Sequence, residues 1–186
     1  MNSEKQQSCV EELTKATQTY IKEHPDTENG YQMEALVYKQ FGMLDKQKEI
    51  LKNAMEQPIA APRCAIMLAD IEFRENKFEE SLKSFKRAIA DSDKTETAVH
   101  DGYLYVMTAL CKLALAKQKN VGLNKEEVLD IYEDFNVALC YNDNLKANYK
   151  DVLAKKTLYL IDKYNVPVPK KNKKLNSLVE ELKKGQ

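Results

Sequence analysis

The sequence predicts an all-α fold built from stacked helical hairpins, a solenoid of about three units with flanking helices. Three observations carry this expectation. Phe78, Ser81, Phe85 and Ala88 lie 34 residues after Leu44, Gln47, Leu51 and Ala54, which in turn lie 34 residues after Val10, Leu13, Thr17 and Tyr20. The intervening chain reads as helix, turn and helix, with only five Gly and five Pro in 186 residues to interrupt it. A unit of this kind cannot bury its apolar face alone, so neighbours must stack on it.

The elements follow in order. Helix 1 is expected over Ser3 to Glu23, where Val10, Leu13, Ala16, Tyr20 and Ile21 form an apolar stripe with Cys9 beside it. Pro25 ends it by disfavouring helix at His24. Helix 2 is expected over Thr27 to Phe41, with Gly42 as its stop, and helix 3 over Leu44 to Glu56. Pro58 and Pro62 break the chain, and Pro62 suits the first turn of helix 4, Pro62 to Glu75. Asn76-Lys77 turns into helix 5, Phe78 to Asp91.

The period then changes. Helix 6, Glu96 to Gln118, is expected to be longer, and KQKNVGLN follows it as a polar loop. Asn124 and Glu127 form a capping pair for helix 7, Lys125 to Tyr141. Val128, Ile131, Phe135 and Ala138 repeat the Phe78, Ser81, Phe85 and Ala88 pattern 50 residues later, so the third unit carries a 16-residue insertion. Helix 8 is expected over Leu145 to Tyr164. The repeat domain thus spans 1–165, a Pro- and Lys-rich linker 166–174, and a C-terminal amphipathic helix 175–186. Leu175, Leu178, Val179 and Leu182 lie on one face of that last helix and need a cover. It either caps the solenoid or docks on a second copy or a partner; the cap is the preferred reading because the linker is short.

The unit from Pro62 resembles the tetratricopeptide family. Leu68 and Ala69 stand at the family's Leu and small residue, Phe78 at its aromatic after the turn, and Phe85 and Ala88 at the aromatic and Ala of its second helix; Ser81 replaces the usual Ala. Tyr31, Ala35, Tyr38, Gly42, Leu44, Leu51 and Ala54 match in the preceding unit, while Glu34 and Gln47 depart from the pattern. Helix 1 looks like a lone second helix, with Pro25 at the family's proline position, and the third unit is a degenerate match. About two thirds of the chain is covered. Another hairpin solenoid and a globular helical bundle are the alternative folds.

The resemblance implies a scaffold that binds protein through a concave face. The groove-facing positions would be Gln32, Leu36, Lys39 and Gln40 in one unit and Arg63, Ile66, Asp70, Phe73 and Arg74 in the next. This mixed apolar and charged surface suits a peptide or helix of a partner. The family's clamp for the C-terminal carboxylate of heat-shock chaperones uses Lys and Asn; the corresponding places hold Gln32, Leu36, Ile66 and Asp70, so that activity is not carried over. The expected roles are adaptor, client-specific chaperone or regulator.

Composition narrows the field further. Net charge is zero, and of the 29 basic residues only Arg63, Arg74 and Arg87 are arginine. Both facts argue against a polyanion as main partner. The alternative function is a nucleic-acid-associated helical protein using its Lys-rich tail. No membrane segment, metal site or cofactor motif is read, and no catalytic constellation, so the expectation is not an enzyme. His24 and His100 lack ligating neighbours at helical spacing. Cys9, Cys64, Cys111 and Cys140 each lie in apolar helical patterns, read as reduced thiols of a cytoplasmic protein, with a disulfide framework as the lesser alternative. Of the tyrosines, most are expected to pack between helices and some to line a binding surface.

Overall fold

The computed structural model describes residues 3–95 and 102–141. Seven helices run through them: α1 (Ser3–Glu23), α2 (Asn29–Gln40), α3 (Leu44–Glu56), α4 (Pro62–Arg74), α5 (Phe78–Ser92), α6 (Gly102–Gln118) and α7 (Lys125–Tyr141). No strand occurs among the described residues. Each helix packs mainly on its neighbour in sequence, and α2 also touches α4. The chain divides into two compact units, Met1–Val99 and His100–Gln186. The expected helix 8, the linker 166–174 and the helix 175–186 lie outside the described residues, as do the first residues expected for helix 6.

In the first unit the 34-residue repeat of the sequence is a repeat of backbone geometry. Gly42 and Asn76 occupy the same place after α2 and α4, and both adopt the left-handed conformation, with φ 71° and 59°. Around Gly42 the amides of Phe41, Gly42 and Met43 donate to the carbonyls of Val37, Lys39 and Tyr38. Around Asn76 the amides of Glu75, Asn76 and Lys77 donate to Ile71, Phe73 and Glu72, the same pattern one period later. This pattern closes a helix by returning amides to its orphan carbonyls; it favours glycine and tolerates asparagine. The residues that open the second helices also coincide, Met43 at φ −88°, ψ 65° and Lys77 at φ −87°, ψ 66°.

Burial repeats with the turn. Leu51 and Phe85 are fully buried, as are Ala54 and Ala88. Ala35, Leu51, Ala54, Ala61, Cys64, Leu68 and Ile71 form one apolar cluster spanning α2, α3 and α4. Small residues at these positions let the helices approach closely. Ala88→Leu is therefore expected to overpack its contact and cost about 1–3 kcal/mol, read as a lower urea midpoint; an unchanged midpoint would show that the position has room. At Gly30 a Cβ would meet Ile21 Cγ1 at 2.5 Å, so α1 and α2 touch where only glycine fits.

The stripe expected on α1 is only partly covered. Val10 is buried, and so is the polar Thr17, whereas Leu13 and Ala16 are exposed. The reason is architectural: α2 is the one helix of the described residues that α1 packs on substantially, so a single face is shielded. Helix α2 begins at Asn29 rather than Thr27; Glu28, the residue before it, gives α2 no side-chain cap, its carboxylate being turned to the amides of Arg63 and Cys64 instead.

Polar side chains tie successive helices together. The Glu28 carboxylate, itself buried, accepts the amides of Arg63 (3.2 Å) and Cys64 (2.9 Å), capping the N-terminus of α4 from a residue ahead of α2. Asp91 on α5 accepts the Ala61 amide at 3.1 Å and pairs with Arg87 at 2.6 Å and Lys94 at 3.2 Å. Ser81 donates to the Ala69 carbonyl, and Ser84 donates to Glu72, each at 2.8 Å. Burial raises the Glu72 carboxyl above the ordinary range, and the Ser84 bond only partly offsets this.

The second unit repeats the theme. Val106, Ala109 and Leu113 of α6 pack with Val128, Ile131, Phe135 and Ala138 of α7. The latter four are the residues whose spacing matches Phe78, Ser81, Phe85 and Ala88. Asn120 takes the left-handed conformation, φ 50°, after α6, and the Lys119, Asn120 and Val121 amides close the helix in the pattern seen after α2 and α4. Asn124 and Glu127 form a reciprocal capping box at 2.8 and 2.9 Å. Lys112 bridges Asp130 and Asp134, both at 2.6 Å. Burial opposes its charge, yet the two carboxylates hold its pKa above the ordinary lysine value. Cys9, Cys64 and Cys111 are free thiols; the side chain of Cys140 lies outside the described residues.

Candidate interaction surface

The nine residues expected on the groove lie on α2 and α4, two helices in contact within the first unit. On α2, Leu36 is exposed at 46%, Lys39 and Gln40 are exposed, and Gln32 is half-buried. On α4, Arg63 and Arg74 are exposed, and Ile66, Asp70 and Phe73 are half-buried. The Phe73 ring meets Phe78 edge-on, with centroids 5.2 Å apart, so part of its apolar surface is used in joining α4 to α5. Met33, exposed at 39%, adds a second apolar side chain to α2.

Three of the nine converge. Lys39, Asp70 and Arg74 line a cavity of about 340 Å³, completed by Gly42, Leu44, Gln47, Met67, Ile71 and Glu75. Gln32, Leu36, Gln40, Arg63, Ile66 and Phe73 do not line it. The cavity sits between the α2–α3 turn and the C-terminal half of α4, so it is formed where one hairpin meets the next. Sequence reasoning missed its remaining lining residues. Gln47 did carry a signal, as the one large polar residue at a position where Ser81 stands one period on.

The charges at the rim are unequal in their engagement. Glu75 accepts Lys48 and Lys77, each at 2.8 Å. Those bonds, the Lys48 bond foremost, hold its carboxyl down at about 2. Arg74 donates through Nε to the Asp70 carbonyl at 3.0 Å, which orients the guanidinium along α4. Among the described residues neither Lys39 nor the Arg74 guanidinium forms an ion pair.

A second cavity, about 440 Å³, lies among α1, α2 and α3 and is lined by Gln18, Ile21, Lys22, Tyr31, Glu34, Tyr38, Lys46, Glu49, Ile50 and Asn53. Glu34, 2% exposed, accepts hydrogen bonds from Thr17, Gln18 and Tyr38. Its departure from the apolar pattern is thus accommodated by three donors. Burial, reinforced by the Glu34 carboxylate, pushes the Tyr38 phenol up to about 12. Lys46 lies over the Tyr38 ring, 5.7 Å from its centroid.

Among the described residues no group of His, Cys, Asp and Glu is placed to hold a metal ion, and no helix is long and apolar enough to cross a membrane. No protein-family model matches the chain, and neither a curated protein nor a solved structure matches it.

Proposed function

We propose that the chain is a tetratricopeptide-type solenoid that works as a protein-interaction scaffold in the cytoplasm, binding a peptide or helix of a partner along α2 and α4. The observation that carries this reading is the repetition, one 34-residue period apart, of the left-handed turn and its hydrogen bonds at Gly42 and Asn76. Repetition of turn, caps and buried small residues sets successive hairpins side by side. Their first helices then present adjoining surfaces of the sort that repeat proteins use for binding. On this surface Leu36 and Met33 supply exposed apolar area beside Lys39, Gln40 and Arg63. An apolar centre with a charged rim is the arrangement that secures a helix or an extended peptide. The roles that fit are adaptor, chaperone of a specific client, or regulator.

The test is capture from an extract of the native source, followed by mass spectrometry. The wild-type chain is compared with the double variant Leu36→Glu, Arg63→Ala. Both side chains are exposed, so helix content by circular dichroism should not change. Proteins retained by the wild type and lost from the variant are the expected result. An identical set retained by both would overturn the reading.

A further inference from the structure

We propose that α1 packs antiparallel against α1 of a second copy of this chain, through Cys9, Leu13, Ala16 and Tyr20. This goes beyond the scaffold reading and uses none of its groove residues. The first observation comes from the period. Leu13 stands 34 residues before Gln47 and 68 before Ser81, and Ala16 stands 68 before Ser84. On α5 both serines are spent on the first helix of their own hairpin, Ser81 donating to the Ala69 carbonyl and Ser84 to Glu72. Gln47 and Ser81 are 5% and 0% exposed, whereas Leu13 is 42% exposed and Ala16 is exposed as well. Helix α1 therefore shows the face that α5 turns to its hairpin partner, and among the described residues no first helix lies against it. The outer face of a terminal helix in a stacked array is ordinarily polar. This one carries a leucine between small residues.

The second observation is self-complementarity. Cys9, Leu13, Ala16 and Tyr20 recur at i, i+4, i+7 and i+11, along one side of the helix. The helices of a hairpin run antiparallel, so the cover this face is shaped for is antiparallel too. In a two-fold pair each residue meets its counterpart's contact in return. Centring the two-fold between Thr14 and Lys15 sets Leu13 against the partner's Ala16 and Cys9 against the partner's Tyr20. Each contact then joins a large side chain to a small one, which lets the helices close.

The third observation is charge. Lys5 and Glu23 lie near opposite ends of α1, on the same flank of the stripe, and both are exposed without an ion pair among the described residues. The same register brings Lys5 to the partner's Glu23 and Glu23 to the partner's Lys5. Glu12, on that flank as well, falls beside the partner's Thr19 and away from its own counterpart. A parallel pair would instead stack Lys5 on Lys5, Glu12 on Glu12 and Glu23 on Glu23.

Sedimentation velocity on the full chain, from about 1 μM to about 1 mM, is the test, because a single helix pair forms a small interface of modest affinity. The expected result is a concentration-dependent rise from monomer to dimer. Leu13→Lys, at an exposed position, should keep the helix content and weaken the dimer by about tenfold or more. Lys5→Glu alone and Glu23→Lys alone should each weaken it by about five- to tenfold. The double variant Lys5→Glu, Glu23→Lys should restore it, since both cross-pairs are re-formed with their signs exchanged. A monomer throughout the range would overturn the proposal, as would a dimer indifferent to Leu13→Lys. Failure of the double variant to recover would overturn the antiparallel register.

Discussion

Phe85→Ala is expected to lower the stability of the first unit by about 3–5 kcal/mol, the largest effect of any single truncation considered. Phe85 is among the largest fully buried side chains. Its removal combines lost transfer free energy with the cost of the space left behind, since α4 and α5 are fixed to each other by the Ser81–Ala69 and Ser84–Glu72 bonds and cannot close freely. Urea titration monitored by circular dichroism measures the change. A loss below about 1 kcal/mol would show that the site collapses, or that Phe85 packs more loosely than its burial implies.

Asp91→Ala is the second large effect. The Asp91 side chain is fully buried and accepts from Ala61, Arg87 and Lys94. Truncation orphans the Ala61 amide, which costs about 1–3 kcal/mol. It also releases Arg87 and Lys94, whose exposure limits their share to about 1 kcal/mol. The sum is about 2–4 kcal/mol at neutral pH. Burial works against the charged form of Asp91, but the Ala61 amide, Arg87 and Lys94 together lower its pKa. A carboxyl whose folded pKa lies below its unfolded value of about 3.9 stabilises the fold fully above that value. The contribution fades as pH falls through the folded pKa. The gap between wild type and Asp91→Ala should therefore be constant from neutral pH to about 5 and shrink in stronger acid. Urea midpoints measured across that range give the answer; a gap that does not narrow would mean that the ionised form is not what holds Ala61.

How far the sequence foretold these sites depends on the range of the interactions. Helix limits and turns were legible because they rest on local chemistry. Gly42 and Asn76 stand where a left-handed residue is needed, Pro62 opens α4, and Asn124 reaches Glu127 three residues on. α1, α3 and α7 run between the residues expected, and α4 and α5 differ from expectation by one residue at their ends. Glu28 and Asp91 carried no comparable signal. Each reads as an ordinary acid near a helix terminus, and their partners lie in other helices, so nothing in the local pattern marks them. The groove set illustrates the same limit. Helical spacing places Lys39, Asp70 and Arg74 on suitable faces, but Met67 and Ile71 belong to an apolar stripe continuous with the buried Cys64 and Leu68. Spacing cannot say where along that stripe the next hairpin stops covering it. The exposure of Leu13 arises likewise, from which faces of α1 find a neighbour.

The cap that Glu28 gives to α4 has a bearing on how the chain reaches its native state. Most caps are supplied from within a few residues, so a helix can secure its own start before anything docks. Here the acceptor for the Arg63 and Cys64 amides precedes an entire intervening hairpin. The first turn of α4 gains its hydrogen bonds only once α2 has come alongside. Packing between sequence neighbours keeps loop closure short and favours rapid assembly. The Glu28 latch imposes an order on that assembly, since α2 must be in place before α4 is complete. A fragment cut to begin at Pro62 would retain every apolar residue of α4 and α5 and still start with a frayed end.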